Sequence, residues 1–234
     1  MQALQPMRLS EASRDFLERR IKKYDEPDAN AVENLKRSIF EFLKKYQYEI
    51  HDENEKVVAI MVDFATKYTF ARNQRILKEK KDYTGKIDKS KDYMMPKGLL
   101  LFGNCGTGKT LLAKLMSIFT GIKFYEASEI ALNYLCDGDD WYRDFSRAIS
   151  KEAIVIDDIG AERDVKRYGN ESILIEFLSQ RTRLWEEFQI PTIITSNFQE
   201  RNEIAERYGD RIKSRFLGAF QPVKLSGKDR RMTP

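Results

Sequence analysis

The chain has 234 residues, 41% of them apolar, including 14 Phe, 11 Tyr and 2 Trp, which suffices for one full α/β domain with a smaller appended module and excludes a disordered chain. Lys and Arg total 41 against 37 Asp and Glu, a formal charge of +4 that a single His leaves nearly insensitive to pH and that neither demands nor excludes a nucleic-acid partner. The two cysteines, Cys105 and Cys136, suit a reducing compartment, and with no apolar run approaching roughly 18 residues the expectation is a soluble, cytoplasmic protein with no membrane contact.

In chain order, Glu11–Tyr24 reads as a helix that Ser10 would cap. A second helix, starting at Asp28 or Asn30, runs to Tyr46 and aligns Val32, Leu35, Ile39, Phe42 and Leu43 in one apolar stripe. A third pattern, from about Asn54 to Tyr68, does the same with Val57, Ile60, Met61, Phe64 and Ala65. Lys78–Asp92 then offers almost nothing to a core and reads as an exposed connection, so residues 1–90 form a helical partner-binding module and 91–234 a second domain.

From Lys97 the pattern changes. Gly98–Phe102 is an apolar strand that runs into a glycine-rich loop, and Leu111–Phe119 is the helix that follows. Lys123–Tyr125 reads as a strand, Ser128–Leu135 and Trp141–Ile149 as two helices, Ala153–Ile156 as a strand and Glu171–Phe188 as a helix. Thr192–Thr195 and Val223–Leu225 complete the strands. Short continuous apolar strands alternating with helices indicate a parallel sheet covered on both faces, hence a three-layer α/β core.

The loop Gly103-Asn104-Cys105-Gly106-Thr107-Gly108-Lys109-Thr110 fits the phosphate-loop pattern at all eight positions. Its glycines let successive N–H groups face the phosphates of a nucleoside triphosphate, and the helix behind it adds its positive end. Lys109 would neutralise the β- and γ-phosphoryl oxygens, and Thr110 would offer a hydroxyl to magnesium. Asp157 and Asp158 end a strand, where parallel-sheet ligands bind. Asp157 suits the hydrated metal and Asp158 the attacking water. Glu162 is a second candidate for water or a salt-bridge partner. Asn197, after a later strand, would reach the γ-phosphate or its water, or else form an Asx turn. Arg211 and Arg215, four apart, share one side of a helix and could reach a neighbouring subunit's nucleotide, or serve as surface charges.

Together these segments resemble the AAA+ ATPases, and within them the bacterial helicase loaders of the DnaC/DnaI type with the related IstB-type transposition ATPases. The resemblance rests on Gly103–Thr110 as Walker A, Ile154–Glu162 as Walker B with its extension, Thr195–Phe198 as sensor 1, Tyr208–Phe216 as the arginine-finger segment and Gly227–Arg231 as sensor 2. It implies a P-loop AAA+ core lacking a C-terminal helical lid, with ATP and magnesium as cofactors. Arg215 would then be the trans-acting finger and Arg231 the sensor 2 arginine, with Arg230 close behind. Asp158 stands where many relatives carry glutamate, which implies slow hydrolysis unless subunits or DNA complete the site.

The function so implied is an ATP-dependent loader that binds single-stranded DNA and a replicative helicase hexamer as a homo-oligomer, with Lys78, Lys80, Lys81, Lys86 and Lys89 as candidate DNA contacts. The alternatives are a transposition helper that binds duplex DNA and recruits a transposase, or a nucleotide-gated scaffold with little hydrolysis.

Overall fold

The computed structural model describes residues 29–46, 48, 50, 52–82, 94–162, 164–167, 171–200, 202–227 and 229. They fall into two compact units, one running from Lys97 to Ser117 and onward from Ile122, the other comprising the helices before Pro96 together with Ile118–Gly121. The expected helix Glu11–Tyr24, the lysines Lys86 and Lys89, and Arg230 and Arg231 lie outside the described residues.

In the helical unit, α1 (Ala29–Lys45) and α2 (Asp52–Asp82) carry the stripes that their spacing predicts. Ile39 and Leu43 are buried on α1, as are Val57, Met61, Phe64 and Ala65 on α2. Phe119 meets the Phe42 ring edge-on at 5.9 Å. The helix α2 continues well past Tyr68, so part of the expected exposed connection is helical. Its Lys- and Glu-rich end has no stripe to betray it, but both residue types are good helix formers.

The other unit is built on five parallel strands, β1 (Gly98–Gly103), β2 (Lys123–Glu126), β3 (Ile154–Ile159), β6 (Thr192–Ser196) and β7 (Phe220–Leu225), in the order β2-β3-β6-β1-β7. A two-stranded antiparallel ribbon, β4 (Lys166–Arg167) and β5 (Glu171–Ser172), precedes α5 (Ile173–Phe188). The remaining helices are α3 (Lys109–Thr120), α4 (Ala127–Ile149), α6 (Asn202–Tyr208) and α7 (Asp210–Ala219). This is the expected α/β core with a helical segment before it, and no helix follows β7 within the described residues. None of the described helices is long and apolar enough to cross a membrane.

Hydrophobic burial organises the sheet. Leu100, Phe102, Ile154, Ile156 and Ile194 pack with Ile130, Ile149, Leu174, Phe177 and Phe216 from the helices, all nearly inaccessible to water. The two helices expected in 128–149 are one element, α4, bent at Gly138 (φ 67°, ψ −151°). Conversely, the run Ile204–Phe216 is two helices divided at Gly209 (φ 88°), with Arg211 and Arg215 both on α7.

At the amino end of the sheet Arg181, 1% exposed, joins three segments. Its guanidinium donates to Thr192 Oγ1 (2.9 Å) and to the carbonyl oxygens of Ile149 (3.0 Å), Glu152 (2.9 Å) and Pro191 (3.4 Å). Satisfying these otherwise buried carbonyls is what lets the chain turn into β3 and β6 away from water.

Candidate functional site

The phosphate loop leaves the carboxyl end of β1, and its Lys109 is 6% exposed. The Lys109 ammonium donates to the carbonyl oxygens of Gly103 (2.9 Å) and Asn104 (2.6 Å), folded back onto its own loop. Thr107 Oγ1 closes the same turn by donating to Asn104 O at 2.9 Å. Gly106 has φ 75°, a left-handed conformation that glycine adopts without strain. A Cβ there would run into the carboxylate of Asp229, so the segment after β7 lies against the loop. Cys105 and Cys136 are both exposed and unbridged.

The acids stand where the sequence puts them, and the sheet supplies their partners. Because β6 lies between β1 and β3, Thr195 is beside both the loop strand and the acidic strand. Asp157 is buried and uses both carboxylate oxygens: Thr195 Oγ1 donates to Oδ1 at 2.6 Å and Thr110 Oγ1 to Oδ2 at 3.0 Å. The Asp158 N–H in turn donates to Thr195 Oγ1 at 2.8 Å, so one hydroxyl orients both acids.

Between Ile156 and Ile159 the register of β3 against β6 slips, and Asp158 takes φ 59°, uncommon for a residue with a Cβ. This bulge turns Asp158 toward Asn197, whose Nδ2 donates to Asp158 Oδ1 at 2.7 Å. Burial first, then the Asp157 carboxylate, push the Asp158 carboxyl above its ordinary value, against the pull of Lys109.

The residues suit a magnesium–nucleotide. Among the described residues no three His, Cys, Asp or Glu side chains form a metal cluster. Thr110 and Asp157 contribute one hydroxyl and one carboxylate, the sparse set of a magnesium ion that takes its remaining oxygens from phosphates and water. The donor-rich loop with its single ammonium fits the phosphates.

Of the two roles the sequence leaves open for Glu162, the structure shows the salt bridge, to Arg207 at 3.4 Å. The Glu162 side chain is 1% exposed, and it accepts from Gly160 N–H (2.6 Å) and from the Tyr208 hydroxyl (2.8 Å). Arg207 Nη2 donates to its carbonyl oxygen at 3.0 Å and lies 3.4 Å from Oε1. Burial, followed by the Glu162 carboxylate, holds the Tyr208 phenol far above its usual range. Arg211 is exposed and Arg215 half-buried on α7. Thr195, Tyr208 and Asp229 lie in segments that the sequence singles out, and the strand order places 195–197 beside the acids as an adjacent strand would; the particular partners of these three side chains come only from the strand order and the loop packing.

Residues 99–218 match the model of the ATPase family associated with various cellular activities (AAA), about half of the chain. The chain is 34% identical over 122 residues to a 26S proteasome regulatory subunit 6B homolog of Dictyostelium discoideum, an alignment covering 45% of this chain and 29% of that protein. The corresponding protein of Schizosaccharomyces pombe is 34% identical over 119 residues, 44% of this chain and 29% of the relative. The chain thus spans less than a third of the length of these curated relatives. A crystal structure of DnaI is similar with a TM-score of 0.46 and 20% identity, over 68% of this chain and 84% of that one.

The sequence similarities to the curated relatives correct the branch expected from the motifs. The sequence relationship points to the proteasome-regulatory AAA ATPases rather than to DnaC/DnaI-type loaders or IstB-type transposition ATPases. The loader function and the DNA-binding lysines fall with that branch, and no helicase or transposase partner is shown. The physical reason is that every segment behind the expectation belongs to the nucleotide engine, whose chemistry constrains it alike across branches. With its ATP- and magnesium-using phosphate-loop core, the chain belongs to the AAA family of ATPases.

Proposed function

We propose that residues 91–234 hydrolyse ATP at a site shared between neighbouring copies of the chain, with residues 1–90 as an accessory module. The observation that carries the hydrolytic reading is the hydrogen-bonded chain Thr110–Asp157–Thr195–Asp158–Asn197 at the mouth of the phosphate loop, and the sharing between copies rests on the arginine-finger resemblance of Tyr208–Phe216. The division of the described chain near Pro96 supports the domain boundary.

On this reading Lys109 leaves the Gly103 and Asn104 carbonyls for the β- and γ-phosphoryl oxygens, and the Thr110 hydroxyl and the Asp157 carboxylate would hold the metal. Magnesium, when bound, neutralises phosphate charge. Asp158 accepts a proton from the water whose oxygen bonds to the γ-phosphorus as the β–γ bridging bond breaks, leaving ADP and phosphate. Asn197 holds Asp158 and the water in register. Arg215 of one copy, with Arg211 beside it, supplies positive charge to the neighbour's γ-phosphate. Arg231 is assigned to the phosphates of its own site on the sensor 2 resemblance alone.

The test is phosphate release as a function of protein concentration, alongside binding of a fluorescent ATP analogue. Lys109→Ala should lose binding. Asp158→Asn should bind but turn over on the order of 100-fold more slowly. Arg215→Ala should bind normally and lose on the order of 1000-fold in turnover at concentrations where copies associate. Full turnover in Arg215→Ala would end the shared-site reading, and full turnover in Lys109→Ala would end the assignment of the site.

A further inference from the structure

The contacts of Glu162 join three segments that the chain keeps apart. Glu162 follows β3 and is bonded back to Gly160 N–H, so it fixes the segment leaving Asp158. Its other oxygen receives the hydroxyl of Tyr208, the last residue of α6, and Arg207 reaches both its carbonyl and its carboxylate. Phe198, next to Asn197, closes the third side. Its ring lies 6.3 Å from that of Tyr208, edge-on, and it fills the space where a Cβ on Gly160 would come within 2.8 Å of it. Immediately beyond Tyr208, Gly209 turns the chain into α7 and its Arg211 and Arg215.

We infer that the Glu162–Tyr208 hydrogen bond is a positioning device, through which the state of Asp158 and Asn197 in one nucleotide site sets the α7 arginines presented to the next. The inference rests on the shared-site reading above. A buried carboxylate tied to a neutral hydroxyl and a partly exposed guanidinium is a poor way to gain stability alone, since apolar packing serves as well. It is a good way to fix the relative placement of two segments. On the acid side, the Gly160 N–H bond ties Glu162 to the segment leaving Asp158. The basic side is a helix of ten residues that begins two positions after Tyr208, so a shift at the clamp moves Arg215 as a body. Asn197 and Phe198 are adjacent, so a change at the γ-phosphate end of Asn197 reaches the Tyr208 ring through one side-chain contact.

The test uses full-length chains and mixtures. Tyr208→Phe keeps the ring contact with Phe198 and removes the hydroxyl. Alone, it should bind the fluorescent ATP analogue as the unaltered chain does, keep KM, and lose roughly 3- to 30-fold in kcat. Glu162→Gln, which still offers Tyr208 one acceptor oxygen, should lose less.

Each variant is then mixed with Asp158→Asn, which still binds nucleotide, turns it over slowly and keeps Glu162, Tyr208 and α7. Arg215→Ala mixed with Asp158→Asn is the control, and its turnover should recover if arginines act across the interface. Tyr208→Phe mixed with Asp158→Asn should recover in the same way, because the α7 of the neighbour then serves its site. Recovery in the control without recovery in the Tyr208→Phe mixture would place the clamp in its own site, overturning the inference while leaving the shared site standing. No recovery in the control would overturn the shared site, and the inference with it.

Discussion

The two ends of the parallel sheet handle buried polarity in opposite ways. At the amino end, Arg181 is 1% exposed and gives its guanidinium to Thr192 and to the carbonyl oxygens of Ile149, Glu152 and Pro191. Those carbonyls are backbone groups at the sheet end, and the Ile149 oxygen also takes the Glu152 N–H at 3.2 Å. At the carboxyl end, Asp157 and Asp158 lie side by side, held by the hydroxyl of Thr195, with Asp158 in a left-handed conformation and its carboxyl raised above its usual value by burial and by its neighbour. One end spends polar groups to finish a core. The other holds two carboxylates close together in a strained bulge, an arrangement that an incoming cation would relieve.

Four substitutions set this contrast against measurement. Arg181→Leu should have the largest effect, lowering unfolding stability by more than about 3 kcal/mol because several buried acceptors lose their donor together. Urea unfolding would read it, and an unchanged ATP turnover of the folded fraction would keep Arg181 out of the chemistry. At the other end, Gly160→Ala forces a Cβ into φ 95° and into the Phe198 ring, so it should cost about 1–3 kcal/mol and also lower turnover by displacing the neighbour of Asn197. Turnover equal to that of the unaltered chain would show that the Phe198 contact does not hold Asn197.

Thr195→Val keeps shape but removes the hydroxyl that orients both acids. Turnover or magnesium affinity should fall roughly 10- to 100-fold, with little change in unfolding midpoint. A variant that unfolds early yet hydrolyses normally would reverse the assignment of Thr195 from site to core.

Tyr208→Phe should be mildest in stability, about 1 kcal/mol near neutrality. The Tyr208 pKa is raised above its ordinary 10.0 by burial and then by Glu162, so the stability from this group is full below pH 10 and is lost as pH rises further. Tyr208→Phe removes that loss, and alkaline unfolding curves should become shallower. Curves of equal steepness would mean the hydroxyl ionises freely in the folded chain.

Much of this contrast is legible in the sequence, at positions where chemistry is contiguous. Gly103–Thr110 reads as a phosphate loop because its glycines, lysine and threonine act through one stretch of backbone. Asp157 and Asp158 read as acids at a strand end because β3 is apolar up to them. The stripe of α1 reads as a helix face because burial repeats with its period.

What escapes the eye is polar or interrupted. The end of α2 continues on helix propensity without an apolar face, and the bend at Gly138 joins what looks like two helices. For Glu162 the sequence leaves a water-organising role and a salt bridge open, and only the fold shows the bridge to Arg207 and the buried contacts with Tyr208 and Gly160. The family branch is also missed, since the motifs that suggest it serve nucleotide chemistry common to all branches.

The sequence by itself therefore determined the phosphate loop, the acids and the alternation of strand and helix, because local backbone geometry and hydrophobic period are written residue by residue. Only the tertiary structure decided which hydroxyl holds the acids and where Glu162 belongs. Both depend on β6 lying between β1 and β3, and on α6 returning to the segment after Asp158, pairings between residues about 40 positions apart that no local pattern encodes.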